Sequence, residues 1–337
     1  MKTSNMAMTA AAALAAALAL PAVAPAATVT ITSDTGTPVA LNPAAPTGIR
    51  HMHPDLAIAL AGNEQSLSLS VAGPVAAAAT PRSCTSSSIP SWGVDYQGNG
   101  TYTVNVTTYT DTLCKVGAKA TSYQVAINAG VALTAPPGPV LTRQPNSFTT
   151  NTLQVPVTLN PGALTHDLRV ALGGVLAPDG SISGPSKEVF ADTTTGTAAV
   201  RLDAPGAYLM VGRATGYTGA AGQFFSPWSP PISIRAYAPF DFVTAPSCTD
   251  CRGPRYKLRG TLREKSTRGK VTIKIARGNR GGRFRSIGRA RIRNGVFKKK
   301  LTLNRPGVYR AKYIFKGSAT TAPGTVTTKF RITRRFF

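Results

Sequence analysis

The stretch Gly307-Val308-Tyr309-Arg310-Ala311-Lys312-Tyr313-Ile314-Phe315 alternates between two chemistries: Tyr309, Ala311, Tyr313 and Phe315 take every second position, with Arg310 and Lys312 between them. Successive side chains of a strand point to opposite faces, so this is a strand with an apolar side and a cationic side. The same phase runs through its surroundings. Apolar or small residues recur at Tyr256, Leu258, Gly260, Leu262; at Val271, Ile273, Ile275; at Phe284, Ser286, Gly288, Ala290, Ile292; at Phe297, Leu301, Leu303; and at Val326, Thr328, Phe330, Ile332. Asn294-Gly295 is a two-residue hairpin signal between the third and fourth of these runs. With a leading strand at Phe240–Val243 the pattern predicts a seven-stranded sandwich.

The chain has 337 residues with 38 bases and 13 acids; 27 of the bases and one acid, Glu264, lie in Arg252–Phe337, so residues before 252 hold 11 bases and 12 acids. On the face opposite the apolar positions the pattern places Lys257, Arg259 and Arg263, then Lys274, then Arg285, Arg289, Arg291 and Arg293. Lys298 and Lys300, Arg310 and Lys312, and Lys329 and Arg331 follow on the last three strands. A disordered basic tail would lack the alternating apolar face, so a folded lattice carries the charge.

Gly-x-Tyr opens an alternating strand three times, at Gly100-Thr101-Tyr102, Gly206-Ala207-Tyr208 and Gly307-Val308-Tyr309, with tyrosine spacings of 106 and 101 residues. That is about the length of one immunoglobulin-type sandwich. Tandem sandwiches with a tyrosine at the start of the penultimate strand resemble the bacterial Ig-like and fibronectin type III-like domains of exported proteins. The second repeat resembles the latter most, through Ala204-Pro205-Gly206-Ala207-Tyr208, Gly212-Arg213-Ala214 and Ser226-Pro227-Trp228-Ser229-Pro230, although it lacks an early-strand Trp. The resemblance implies an all-β fold of three tandem sandwiches with binding or spacing roles.

Boundaries follow from composition. Residues 1–26 read as a signal peptide: Lys2, an apolar run from Ala10 to Leu20, the breaker Pro21, and small residues at Ala24-Pro25-Ala26 before cleavage. Export places the mature chain outside the cell, secreted or associated with the cell surface. The first Ig-like sandwich spans 28–135, with strands near Thr28–Thr32, Ser66–Val71, Thr101–Thr108 and Tyr123–Asn128 and an Ala-rich tract at Val75–Thr80. Pro136-Pro137-Gly138-Pro139 reads as a stiff, extended spacer. The second sandwich, 140–236, contains the alternating run Leu153, Val155, Val157, Leu159, and the basic sandwich occupies 238–337.

Export also means an oxidising compartment. Cys84 and Cys114, 30 residues apart, are expected to form a local disulfide. Cys248 and Cys251 are expected to form a second, at the joint before the basic module. The latter C-x-x-C lacks the helix that would activate a redox thiol and the second pair that zinc would need. His51-Met52-His53 with Asp55 is the one cluster with metal-ligand chemistry. The third histidine, His166, lies in the next domain, so the reading is a solvated loop without metal.

Catalysis is not expected. Three histidines, no G-x-S-x-G elbow, no phosphate-binding glycine loop and no recognisable carboxylate pair leave no assembled site, and no cofactor is implied. Gly-rich Arg277–Gly282 lies between strands and reads as a hairpin loop. The expected partner is polyanionic: an anionic envelope polymer, an acidic polysaccharide or membrane headgroups, with nucleic acid bound only non-specifically because stacking aromatics are few. The alternative is a structural or adhesive protein that binds a protein partner through its first two domains, with the charge serving solubility.

Overall fold

A computed structural model describes residues 27–74, 82–94, 96, 98–217, 223–250, 255–279, 281–303 and 305–332. The expected signal peptide, the tract at 75–80 and Cys251 lie outside the described residues, as does the side chain of Cys248. The described residues form strands and turns, with no helix.

The first region holds β1 (Ala27–Thr32), β2 (Pro38–Ala40), β3 (Thr47–Ile49), β4 (Asp55–Leu60), β5 (Ser66–Ala72), β6 (Arg82–Thr85), β7 (Ile89–Gly93), β8 (Gly100–Tyr109) and β9 (Lys119–Ile127). They make a four-stranded sheet, β2-β1-β4-β7, and a five-stranded one, β3-β9-β8-β5-β6. Val29 and Ile31 of β1 and Tyr102, Val104 and Val106 of β8 are buried at alternating positions, as the period-two pattern requires. Cys84 of edge strand β6 is bonded to Cys114 in the β8–β9 loop, the expected local staple.

The second region holds β10 (Ala132–Leu133), β11 (Val140–Leu141), β12 (Thr152–Thr158), β13 (Thr165–Leu172), β14 (Val175–Leu176), β15 (Ile182–Ser183), β16 (Lys187–Asp192), β17 (Thr197–Arg201), β18 (Gly206–Tyr217), β19 (Gln223–Phe225) and β20 (Ile232–Tyr237). Its main sheet runs β10-β12-β17-β16-β13-β18-β20-β11. The third holds β21 (Phe242–Asp250), β22 (Arg255–Leu262), β23 (Gly269–Arg277), β24 (Arg285–Arg293), β25 (Val296–Thr302), β26 (Gly307–Phe315) and β27 (Gly324–Ile332), ordered β21-β22-β25-β24-β23-β26-β27. The leading strand thus runs from Phe242 to Asp250. Phe240 precedes it, buried and stacked on Phe315 with ring centroids 5.0 Å apart.

The two regions repeat one topology. In the third, β24 and β25 pair only at Ile292↔Phe297 and Arg293↔Val296, beside the Asn294-Gly295 turn, and then part company. The path therefore folds into two layers, β21-β22-β25 and β24-β23-β26-β27, around Leu258, Ile273, Phe297, Ala311 and Tyr313. In the second, β16 and β17 likewise share two pairs, and the order β12-β17-β16-β13-β18-β20 matches β22-β25-β24-β23-β26-β27. The turn residues have φ of +49° at Asn294 and +71° at Gly295, the backbone that an Asn-Gly hairpin favours.

Each Gly-x-Tyr does the same mechanical job. Tyr102, Tyr208 and Tyr309 donate their hydroxyls to the carbonyls of Gly98, Ala204 and Arg305, four residues upstream in each case, at 2.8, 2.8 and 2.6 Å. This is the tyrosine corner of immunoglobulin-like sandwiches, a ring buried in the core whose one polar atom ties down the loop entering the strand. Gly100, Gly206 and Gly307 have φ of +146°, +155° and +138°, where a Cβ is strained, so glycine recurs with the tyrosine.

Ser226-Pro227-Trp228-Ser229-Pro230 closes the second region by a related device. Ser226 and Ser229 donate backbone N–H to the carbonyls of Ala214 and Gly212, and their hydroxyls accept the N–H of those residues. The hydroxyls thus substitute for a ladder that alternating prolines cannot make. Arg213 lies against the rings of Phe225 and Trp228 at 4.1 and 4.5 Å, and Arg169 against Trp228 at 5.0 Å.

The joint between the first two regions is packed, contrary to the expectation of a spacer there. Residues of the first two regions share one apolar cluster. Met52 is buried against Gly216 and donates its N–H to Pro161 O, and the His51 ring lies against Gly162. Arg50 donates to Gly130 O and Leu159 O, while Asn160 donates its side-chain amide to Arg50 O and accepts from Gly130 N–H. His51-Met52-His53 is therefore a joint and not a solvated loop. Met52 finds an apolar seat on the neighbouring region that no local pattern reveals. His166 sits beside the same joint, its Nε2 accepting Asn160 N–H at 2.7 Å. Among the described residues no three potential ligands of the His, Cys, Asp and Glu type converge.

Candidate polyanion-binding surface

Antiparallel partners share a face, so the register fixes which cations stand together. On the outer face of the layer β24-β23-β26-β27, Lys270 stands opposite Arg291, Lys274 opposite Lys312, and Arg310 opposite Lys329. Arg289 and Arg331 belong to the same face, opposite Thr272 and Val308, and Arg293 extends the β24 row at the hairpin. On the other layer, Lys257 stands opposite Lys300 and Arg259 opposite Lys298. The lattice of bases is thus divided between the two outer faces of the sandwich.

Like charges directly opposite one another destabilise a sheet by roughly 0.2–1 kcal/mol a pair. The outer face of β24-β23-β26-β27 has no ion-pairing carboxylate among the described residues. Glu264, the one acid of residues 252–337, sits in the β22–β23 turn and accepts Ser266 N–H. Arg310 is steadied at the hairpin end by Phe284, 5.0 Å from its guanidinium, and by Gly282 O.

Two predicted members sit elsewhere. Arg263 is 15 % exposed, 3.6 Å from the buried carboxylate of Asp241 and stacked over Phe148 at 4.0 Å. Asp241 also receives both guanidinium arms of Arg143 at 2.6 and 2.7 Å and the N–H of Asn146 at 2.8 Å. Burial alone would raise its pKa, but these bonds and the two cations outweigh it and hold the carboxyl below its ordinary value. Arg263 therefore belongs to the joint between the second and third regions.

Arg285 is displaced by a bulge. Ile273 pairs with Gly288 but Lys274 pairs with Ser286, so Ile287 is the extra residue and packs on the core. Before the bulge the phase reverses: Ser286 turns outward and Arg285, opposite Ile275, takes the inner side at the open end of the sandwich. Gly288 has φ +103°, and Lys299, on the inner side between Phe297 and Leu301, passes beside it. An inward lysine where β24 and β25 separate is an established protection of strand edges.

The pattern also missed cations. Arg268, Lys270, Arg291 and Arg293 line a concavity of about 640 Å³ at the start of β23. Lys270, Arg289 and Lys316 line an adjoining one of about 390 Å³. Arg268 and Lys316 are loop residues, outside any alternation; their only sequence signal was that each directly flanks a strand end.

No protein-family model matches the chain, and no curated protein matches it. Among solved structures, the chicken CNTN1 FN1–FN3 domains are 13 % identical over 85 % of this chain and 99 % of theirs, with a TM-score of 0.25. A membrane-anchored protein from Corynebacterium diphtheriae is 11 % identical over 92 % of this chain and 96 % of its own, also with a TM-score of 0.25. The all-β, Ig- and fibronectin III-like architecture rests on the strand order and the tyrosine corners.

Proposed function

We propose that this is an exported, non-enzymatic binding protein whose basic C-terminal sandwich docks on an anionic cell-envelope polymer, acidic polysaccharide or lipid headgroup surface. The observation that carries the reading is the register of like charges. Lys274 faces Lys312, Arg310 faces Lys329 and Lys270 faces Arg291, with no carboxylate among the described residues to offset them. A polyanion laid on that face removes the repulsion and releases its own counterions, so binding is electrostatic and weakens steeply with salt. Nucleic acid would be bound only through its backbone charge.

The test is retention of the mature protein on immobilised heparin and on teichoic acid at about 150 mM salt, with and without residues 252–337. Retention of the full chain alone, lost with a log–log salt slope of several units, is the expected result. Equal retention of both, or elution below that ionic strength, overturns it. A second reading has one observation behind it: Leu172, Val175, Leu176 and Phe190 of the second region are exposed apolar residues. It takes the first two regions as the seat of a protein partner, and predicts binding that survives high salt and maps to residues before 238.

A further inference from the structure

The cations of the third region are spread over two faces, yet concavity coincides with cationic lining at the β23–β24 corner. We infer that this corner is a discrete seat for tetrahedral oxyanions, the phosphate or sulfate esters of a linear polymer; the inference rests on the polyanion reading above and locates it.

Three observations carry it. The two adjoining concavities share Gly269 and Lys270 and have Arg268, Arg289, Arg291, Arg293 and Lys316 around them, with no acid in either lining. Both concavities open beside Gly269 and the second also beside Gly317, positions with φ of +133° and +96° that carry no side chain of their own. Arg289, Arg291 and Arg293 follow one another at every second position of β24, a pitch of about 6.8 Å, with Lys270 directly opposite the middle one. A row of guanidinium forks matches tetrahedral oxyanions through paired N–H···O bonds, which a compact ammonium or a flat field of charge does not provide. Successive esters of a flexible chain can then occupy successive forks.

The opposite layer is the control. Arg259, Lys298 and Lys300 are also exposed strand cations, but among the described residues they line neither concavity. Two triple variants of the mature full chain change net charge equally: Arg268→Gln/Lys270→Gln/Arg291→Gln in the seat and Arg259→Gln/Lys298→Gln/Lys300→Gln on the far layer. Binding is measured by calorimetry at about 150 mM salt with inorganic polyphosphate, heparin and poly-glutamate as probes. Thermal melts confirm that both variants fold. The seat variant is expected to melt no lower than the parent, because it loses a like-charge pair.

The expected result is a loss of about tenfold or more in affinity for polyphosphate or heparin in the seat variant and under about threefold in the control, as local fork contacts require and diffuse charge does not. Tighter binding of polyphosphate supports phosphate groups as the occupant of the seat, and tighter binding of heparin supports sulfate groups. Equal losses in the two variants overturn the seat while leaving polyanion docking intact. Binding of poly-glutamate, whose carboxylates are planar, as tight as polyphosphate or heparin overturns the preference for tetrahedral oxyanions. Failure of the parent to bind any probe overturns the docking reading itself.

Discussion

Asp241→Ala tests whether the second and third regions are held by one buried carboxylate. In the native chain Asp241 is 1 % exposed and accepts two short bonds from Arg143 and one from Asn146 N–H, with Arg263 at 3.6 Å. Removing it leaves two guanidinium groups, each 15 % exposed, facing one another with no counter-charge. Breaking a buried pair by deleting one partner costs about 3–5 kcal/mol, most of it the penalty of the stranded charge. Urea unfolding of the protein, followed by emission of Trp92 and Trp228 and by near-ultraviolet circular dichroism from the Tyr/Phe core of the third region, measures the loss. Small-angle scattering reports whether the third region detaches. The double variant Asp241→Ala/Arg143→Ala should recover part of the loss, because one stranded charge goes with its partner. A cost below about 1 kcal/mol, or a double variant no better than the single one, refutes the buried-pair reasoning. Because the folded carboxyl is held below its ordinary value, the joint's contribution is complete above the unfolded value of about 3.9 and is lost only as pH falls through the lowered one.

Cys84→Ser opens a loop of 30 residues and should destabilise the first region by about 3.5 kcal/mol on chain-entropy grounds, read as a shift in its denaturation midpoint; no shift would show the bridge to be idle. Tyr309→Phe removes the bond to Arg305 O and should cost about 1 kcal/mol, while Gly307→Ala, at φ +138°, should cost roughly 1–3 kcal/mol by backbone strain alone. Burial lowers the pKa of His166, against the opposing charge of Asp167, and its Nε2 already accepts Asn160 N–H. The native state therefore takes up that proton less readily than the unfolded chain. Stability of the first two regions should be flat above about pH 6.5 and decline below it towards the lowered folded value. His166→Gln should reduce that decline and leave the share owed to His51, whose pKa burial also lowers.

The strands of the third region were legible because their period-two pattern is local: Tyr256, Leu258 and Leu262, or Tyr309, Ala311, Tyr313 and Phe315, are buried where alternation places them. The Gly-x-Tyr repeat was legible for the same reason, since hydroxyl and carbonyl acceptor are four residues apart. Where alternation failed, a non-local fact intervened. The bulge at Ile287 is a mismatch with β23, and Arg263 is claimed by Asp241 and Phe148, the latter from the second region. Met52 looks like a surface thioether until Gly216 is brought against it.

From the order of residues alone came the all-β class, the Cys84–Cys114 staple and a folded module with bases on the side away from its core. Only the tertiary structure divided those bases between two layers, turned Arg285 inward, spent Arg263 on a joint and gathered Arg268, Lys270, Arg291 and Lys316 at one corner. The physical reason is range. Side-chain direction along a strand is set within two residues, whereas strand register, layer membership and inter-region contact depend on partners tens of residues away.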